Sequence, residues 1–542
     1  MVPLPEANHR TLSFFTMGNR SAWLRNPKVL LALTATLLAF VVQSGELGSA
    51  DTMHRLQTAH SFWTSEPPVF PNEYPEFGVH GRGGKLYDWY GIGQPLLLLP
   101  ADIVGTYIEK LPIFAGYSGS DPTVRNIFVT YTTNILISIF TALVCFRFLR
   151  LLEFSTRESV AGALALLFCT THLHYTQNMM ENNFIFLLTL AGFSFQYEWL
   201  RGGSARALLS GSAAFGFNLL IRLTTGLDLI AGATFLALTL WFAREERQQL
   251  RKRFVTYATI AGPVYLFFLL IDRLYQFYRF GTWTDTYVHY FALEHRLQDP
   301  TLPPNYPWET PFHVGFFGPL LSPEKSIFLF DPLIILTIVT IVVGWKRLSP
   351  QIKAYLAASL FLVLACICLY AHYTVWSGNF AWGDRYVSTA VELAALISVP
   401  ILIRYGGELV GTVWNIAVVL IAASLLIQIA SLMFWLPLEI YQADDLGHPQ
   451  WIVWLRLKNI AAFALGKMDA WGLITDSMKY DQWDYQHITT WNFLPFVLRK
   501  MGAAPTRVVN LAFAAWITGV VGLAYFVFAC GRIYHKKGRK VE

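Results

Sequence analysis

The stretch Gly91-Ile-Gly-Gln-Pro95-Leu-Leu-Leu-Leu-Pro100-Ala-Asp102-Ile-Val-Gly-Thr-Tyr-Ile108 decides how the chain is threaded. It is apolar enough to enter hydrocarbon, yet it holds two prolines and a carboxylate. Whether it crosses sets the side of every later loop. Around it lie twelve further apolar runs: the first from Lys28 to Gly45, then about 124–148, 158–176, 182–200, 205–221, 226–243, 254–271, 327–345, 353–371, 387–404, 411–433 and 507–530. Each can cross hydrocarbon as a helix that satisfies its own backbone hydrogen bonds. Charge arbitrates the ambiguous stretch. If 91–108 stays out and the N-terminus is cytoplasmic, 23 of the 41 basic residues fall in short inner segments, including Arg147, Arg150, Arg244–Arg253, Lys346, Arg347 and the tail from Arg532 to Lys540. If it crossed, the Arg244–Arg253 cluster would move outside, against the positive-inside rule. The stretch is therefore expected to lie along the outer interface or to dip into it.

Composition agrees with a membrane class. Of 542 residues, 54% are hydrophobic and 14% charged, where a soluble chain carries about 25% charged residues. A soluble enzyme, a nucleic-acid binder and a disordered scaffold are poor fits. The first run ends at Gly45-Glu46 without a small-residue cleavage site, so it reads as a retained span. All five cysteines fall in apolar stretches, which suggests neither a disulfide framework nor a thiolate metal site.

The polar mass is lopsided. Inner connections are short, whereas the outer loops 46–123, 272–326 and 434–506 are long, and 372–386 is short but dense in polar and aromatic residues. A transporter usually places its polar groups at mid-depth within its spans; here they gather outside, which points to chemistry at the outer surface. The expected division is a cytoplasmic tail over 1–27, a transmembrane core over 28–433, a Trp-rich outer loop over 434–506, and a last span with a basic cytoplasmic tail over 507–542.

The first outer loop begins Gly45-Glu-Leu-Gly-Ser-Ala-Asp51-Thr-Met-His54-Arg55. On a short helix Asp51, His54 and Arg55 share a face. Asp51 or Ser49 can cap that helix, with Asp51 paired to Arg55. Alternatively, a carboxylate at the membrane surface can take a proton from an incoming hydroxyl. His172-x-His174 followed by Glu181 has poor spacing for a metal on one helix face, and Asp444-Asp445 reads as part of a polar loop. The last loop holds Trp435, Trp451, Trp454, Trp471, Trp483 and Trp491 among Asp469, Asp476, Asp481 and Asp484. It suits either an interfacial belt or a sugar-binding rim.

Three stretches resemble the integral-membrane glycosyltransferases of the GT-C fold, in particular the bacterial protein-mannosyltransferase and aminoarabinose-transferase-like family. They are the acidic residue just after the first span, Asp51; the segment Gly84-Lys-Leu-Tyr-Asp-Trp-Tyr-Gly-Ile-Gly-Gln-Pro-Leu-Leu-Leu-Leu-Pro100; and the pair Gly318-Pro-Leu-Leu-Ser-Pro-Glu-Lys325-Ser-Ile-Phe-Leu-Phe-Asp331-Pro332 with Tyr373-x2-Trp376-x5-Trp382-Gly-Asp384-Arg385-Tyr386. The likeness implies an all-α polytopic fold of about twelve spans with interfacial helices in the first outer loop. It also implies transfer of one sugar from a polyprenyl-phosphate donor to an envelope lipid, glycan or protein on the outer face of a bacterial inner membrane. Asp51 would be the base, and Arg385, Lys325 and Arg55 the phosphate ligands. His54, Tyr87, Trp89, Tyr90, Trp376, Trp382 and Asp384 would touch substrate. Many members show an acidic pair in the first loop, whereas Asp51 has no acidic neighbour, so a divalent metal is unsupported and no cofactor is expected. A transporter or flippase of a lipid-linked intermediate, and a membrane scaffold, are the rival readings.

Overall fold

The computed structural model describes residues 26–71, 77–117, 122–244, 247–406, 411–435, 438–475, 490–502 and 504–535. The chain is an all-α membrane protein. Among the described residues, seven helical segments are long and apolar enough to cross a bilayer: Val124–Leu151, Leu223–Phe242, Gln248–Phe280, Pro350–Tyr370, Ser388–Tyr405, Gly411–Ser431 and Thr506–Arg532. Each coincides with one of the expected runs.

Local sequence explains the element boundaries. Helix α1 (Pro27–Val42) starts with proline in its first turn and Asn26 bonded to the Lys28 N–H, a position where the missing donor costs nothing. Helix α2 (Ala50–Ser61) is capped by Ser49, whose hydroxyl accepts from Thr52 N–H. After a two-stranded hairpin, Val79–His80 against Leu86–Tyr87, the deciding stretch forms helix α3 (Gly93–Glu109). It packs against α2 and against α4 (Val124–Leu151). Its awkward carboxylate is fully engaged. Asp102 accepts from Arg125 Nε at 2.6 Å, from Trp63 Nε1 at 2.8 Å, and meets His60 Nδ1 at 2.9 Å. These bonds pin α3 to its neighbours without exposing a charge to lipid.

The next elements are α5 (Thr156–Cys169), α6 (His172–Gln177), α7 (Asn182–Gly202), α8 (Ala205–Ile221), α9 (Gly226–Phe242) and α10 (Arg247–Phe280). Then come α11 (Tyr287–Gln298), α12 (Phe312–Leu321), α13 (Ile327–Phe330), α14 (Leu333–Gly344), α15 (Pro350–Tyr370), α16 (Ser388–Ala395), α17 (Ser398–Tyr405) and α18 (Gly411–Ser431). The segment after α18 contributes α19 (Leu438–Leu446), α20 (Ile452–Ala464) and α21 (Leu494–Met501), and α22 (Thr506–His535) closes the described chain.

Three expected spans are not continuous, the run 387–404 being interrupted at Leu396–Ile397. Run 158–176 breaks at Thr170–Thr171, and run 327–345 breaks at Asp331–Pro332. Proline has no N–H to continue the ladder, and Asp331 turns its carboxylate onto the other break. It accepts from Thr171 N at 2.7 Å and Thr171 Oγ1 at 2.9 Å. Glu392, on the segment that is interrupted between α16 and α17, lies 2.9 Å from the same hydroxyl. Three interrupted helices thus meet at Thr171, whose backbone N–H is satisfied by Asp331. Below them sits the main aromatic core, where Phe148, Phe193, Phe235 and Tyr355 pack mostly edge to face at 5.1–6.4 Å, a geometry that contributes beyond area burial.

Candidate active site

The first turn of α2 places Asp51 where a helix N-terminus favours a carboxylate. Its partner is not Arg55, four residues along the helix, but Arg385 from the 372–386 loop: Nη1 lies 2.6 Å from Asp51 Oδ2. The Tyr90 hydroxyl also bonds this carboxylate. Burial pushes the Asp51 carboxyl up, but the Arg385 and Arg55 guanidiniums and the Tyr90 bond outweigh it and hold it well below the usual carboxylate range.

Arg55 instead meets Glu181, at the start of α7, with Nη1 2.7 Å from Oε2. The other oxygen of Glu181 pairs with Arg222, from the turn between α8 and α9. Arg55 also lies over the Tyr90 ring, 3.8 Å from its centroid.

The loop carrying Tyr90 is held from behind. Arg279, fully buried near the end of α10, bonds Asp88 Oδ1 at 3.1 Å and Tyr90 O at 3.0 Å, while Thr58 donates to Asp88 Oδ2 at 2.8 Å. The chain then passes so close to the end of α8 that a Cβ at Gly91 would lie 2.1 Å from Leu220 O. Only glycine fits there. On the opposite side Asn182 Nδ2 fixes the Arg385 carbonyl at 2.7 Å.

These elements enclose a cavity of about 580 Å³, within the range of small-ligand sites. Its wall contains four guanidiniums, Arg55, Arg222, Arg273 and Arg385, against three carboxylates, Asp51, Glu181 and Asp272. One positive charge is left over. The remaining wall is largely aromatic, including Trp89, Tyr287, Trp308, Tyr370, Tyr373 and Tyr386. An anion beside a carboxylate base, between planar rings, is what such a wall can accommodate.

Not every residue expected at the site lines it. Asp51, Arg55, Trp89, Tyr90 and Arg385 do. Lys325 does not: it is 1% exposed and donates to the carbonyls of Asn379 and Ala381, so it ties the 372–386 loop to the turn after α12. His54 is buried with its ring stacked on Phe77 at 3.4 Å, and burial lowers its imidazole to about 4 despite the pull of Asp51. Tyr87 packs between Tyr278 and Phe280. Trp376 lies on Gly318, where a Cβ would stand 2.2 Å from the indole. Trp382 is fully buried among His174, Phe330 and Arg456. Asp384 is buried behind the wall and accepts from Tyr386 N at 2.9 Å; burial raises its carboxyl to about 7.

In sequence Glu181 stands out only behind His172-x-His174, and Arg222 only as a charge beside an apolar run. Both stand at the ends of apolar runs, where charged residues are ordinary, so no local signal marks their meeting. Among the described residues no group of three or more His, Cys, Asp or Glu side chains is placed to hold a metal ion. Asp444 and Asp445 lie on α19, whereas Trp483, Asp476, Asp481 and Asp484 lie outside the described residues. No protein-family model matches the chain, and no curated protein matches it.

Proposed function

We propose that the protein is a glycosyltransferase of the GT-C type with twelve spans, acting on the outer face of a bacterial inner membrane with both termini in the cytoplasm. It moves one sugar from a polyprenyl phosphate to an envelope lipid, glycan or protein. The observation that carries this reading is the cavity in which a carboxylate meets a surplus of one guanidinium charge. A polyprenyl phosphodiester donor carries one negative charge, which matches that surplus.

In the proposed step the acceptor oxygen bonds to the anomeric carbon as the bond from that carbon to the phosphate oxygen breaks, with inversion. The acceptor proton passes to Asp51. The electron pair leaves with the phosphate, whose charge goes from one negative to two, and Arg385 and Arg222 stabilise it there. Arg55 holds Glu181 and the Tyr90 ring in place. Lys325 has no part in this assignment, because its ammonium is taken by two carbonyls. The test is donor consumption by purified protein: Asp51→Asn is expected to slow it by about 100-fold or more, and an unchanged rate overturns the reading. Comparing envelope glycans with and without the protein by mass spectrometry then identifies the sugar.

The interrupted helices meeting at Thr171, Asp331 and Glu392 favour a second reading, a transporter of a lipid-linked intermediate, since broken helices with buried polar residues are how such proteins build sites. Movement of a labelled polyprenyl-phosphate sugar across sealed vesicles, without sugar loss and abolished by Glu392→Gln, would select it.

A further inference from the structure

We propose that Arg385 is a latch on Asp51. In the unloaded protein its guanidinium occupies the base, and a donor phosphate must draw it off before an acceptor hydroxyl can reach the carboxylate. Donor therefore binds before acceptor. This inference rests on the glycosyl-transfer reading above.

Three features support it. First, Arg385 occupies Asp51 Oδ2 at 2.6 Å and Tyr90 also bonds the carboxylate, so an acceptor hydroxyl meets an oxygen already engaged. Second, the guanidinium is not saturated. Among the described residues its Nε is buried without a partner, and Nη2 has only the Tyr386 hydroxyl at 3.3 Å. An unpaired buried donor is costly, and a phosphate oxygen would satisfy it. Third, the side chain opens on the cavity while its backbone is fixed. Asn182 anchors the Arg385 carbonyl. Gly378, at φ +75°, leaves the stem clear where a Cβ would come within 2.6 Å of Arg385 Cγ. Arg222 lies against the same Tyr386 ring, the two guanidiniums being 5.2 and 5.0 Å from its centroid, and both line the cavity. A phosphate held by Arg222 would draw Arg385 off Asp51 toward it.

The latch also keeps charge balanced through the reaction. When Asp51 takes the acceptor proton, it loses the charge that Arg385 held at rest. At that moment the phosphate gains its second negative charge, and the guanidinium is already beside it.

The test is a double-mutant cycle on the full chain in lipid nanodiscs, with affinity for a short polyprenyl methyl phosphodiester as the readout and the alcohol of the same length as control. Simple repulsion between Asp51 and phosphate makes the gain from Asp51→Asn equal with or without Arg385. A latch makes that gain larger when Arg385 is present, by about tenfold or more, because the wild type must break its own ion pair to bind. Equal gains overturn the latch and leave the function reading standing. Failure of all four proteins to prefer the phosphodiester over the alcohol overturns the function reading and the latch with it. Gel filtration checks folding, and Arg385→Lys, which lacks the planar fork, replaces Arg385→Gln if that variant does not fold.

Discussion

Two arginine–carboxylate pairs in this molecule have the same chemistry and opposite surroundings. In the segment after α18, Arg456 and Glu439 are both fully buried, with two contacts of 2.5 Å. The rest of the Arg456 guanidinium is spent on the carbonyls of Ser431, Phe434 and Trp435, and Asn459 bonds the same carboxylate. At the cavity, Arg385 and Asp51 keep 15% and 22% of their side chains exposed, and Arg385 Nε has no partner among the described residues. Saturation separates a fastening from a site. The first pair locks α20 onto the end of α18 and the start of α19; the second holds binding capacity in reserve. Lys325, with its ammonium on two carbonyls, belongs with the first.

The comparison can be broken at several points. The largest effect is expected at the unsaturated pair: Asp51→Asn should slow sugar transfer between about 100- and 10,000-fold in a protein that still folds, measured by donor consumption and gel filtration together. Next, Glu439→Ala should leave Arg456 buried and uncompensated. It is expected to destabilise the segment after α18 by about 3–5 kcal/mol, read as faster hydrogen exchange in α19 and α20. Arg222→Ala should weaken binding of a polyprenyl phosphodiester by about 10- to 100-fold, the worth of hydrogen bonds to a charged group. Lys325→Met should leave that affinity unchanged while lowering the unfolding temperature; a matching loss of affinity would return Lys325 to the phosphate site.

The smallest effect concerns pH. Burial holds His54 at about 4, against about 6.5 in an unfolded chain. Between those values the unfolded state binds more protons, so this contribution is complete above about 6.5 and is lost as pH falls toward about 4. Thermal unfolding followed across that window should show a slope that His54→Gln flattens.

Much of this was legible along the chain. Membrane class follows from apolar runs and sparse charge, which need no partner to be recognised. Asp51 and Arg385 stand in motifs that can be read locally, although nothing local says that they touch across 334 positions. The partner of Arg55 was not legible. Helical spacing offered Asp51, but the side chain is closer in space to Glu181, and Arg222 shares that carboxylate from the next helical turn region. Lys325 misled for a related reason. A basic residue in an outer loop suits phosphate until packing shows its ammonium sealed under two carbonyls. Continuity of helices was also hidden, because hydropathy does not register that Asp331 accepts the N–H of Thr171 in place of an ordinary helical bond.

What the amino-acid order determined by itself is what depends on local free energies: which stretches leave water, where Ser49 and Pro27 begin helices, and why Gly91 admits a close crossing. What only the tertiary structure decided is which charges neutralise which. Four guanidiniums and three carboxylates come to one cavity from α2, the turns beside α7 and α8, the last turns of α10 and the 372–386 loop. Electrostatic energy depends on distance through space and on the medium between charges, and neither quantity is written along a chain.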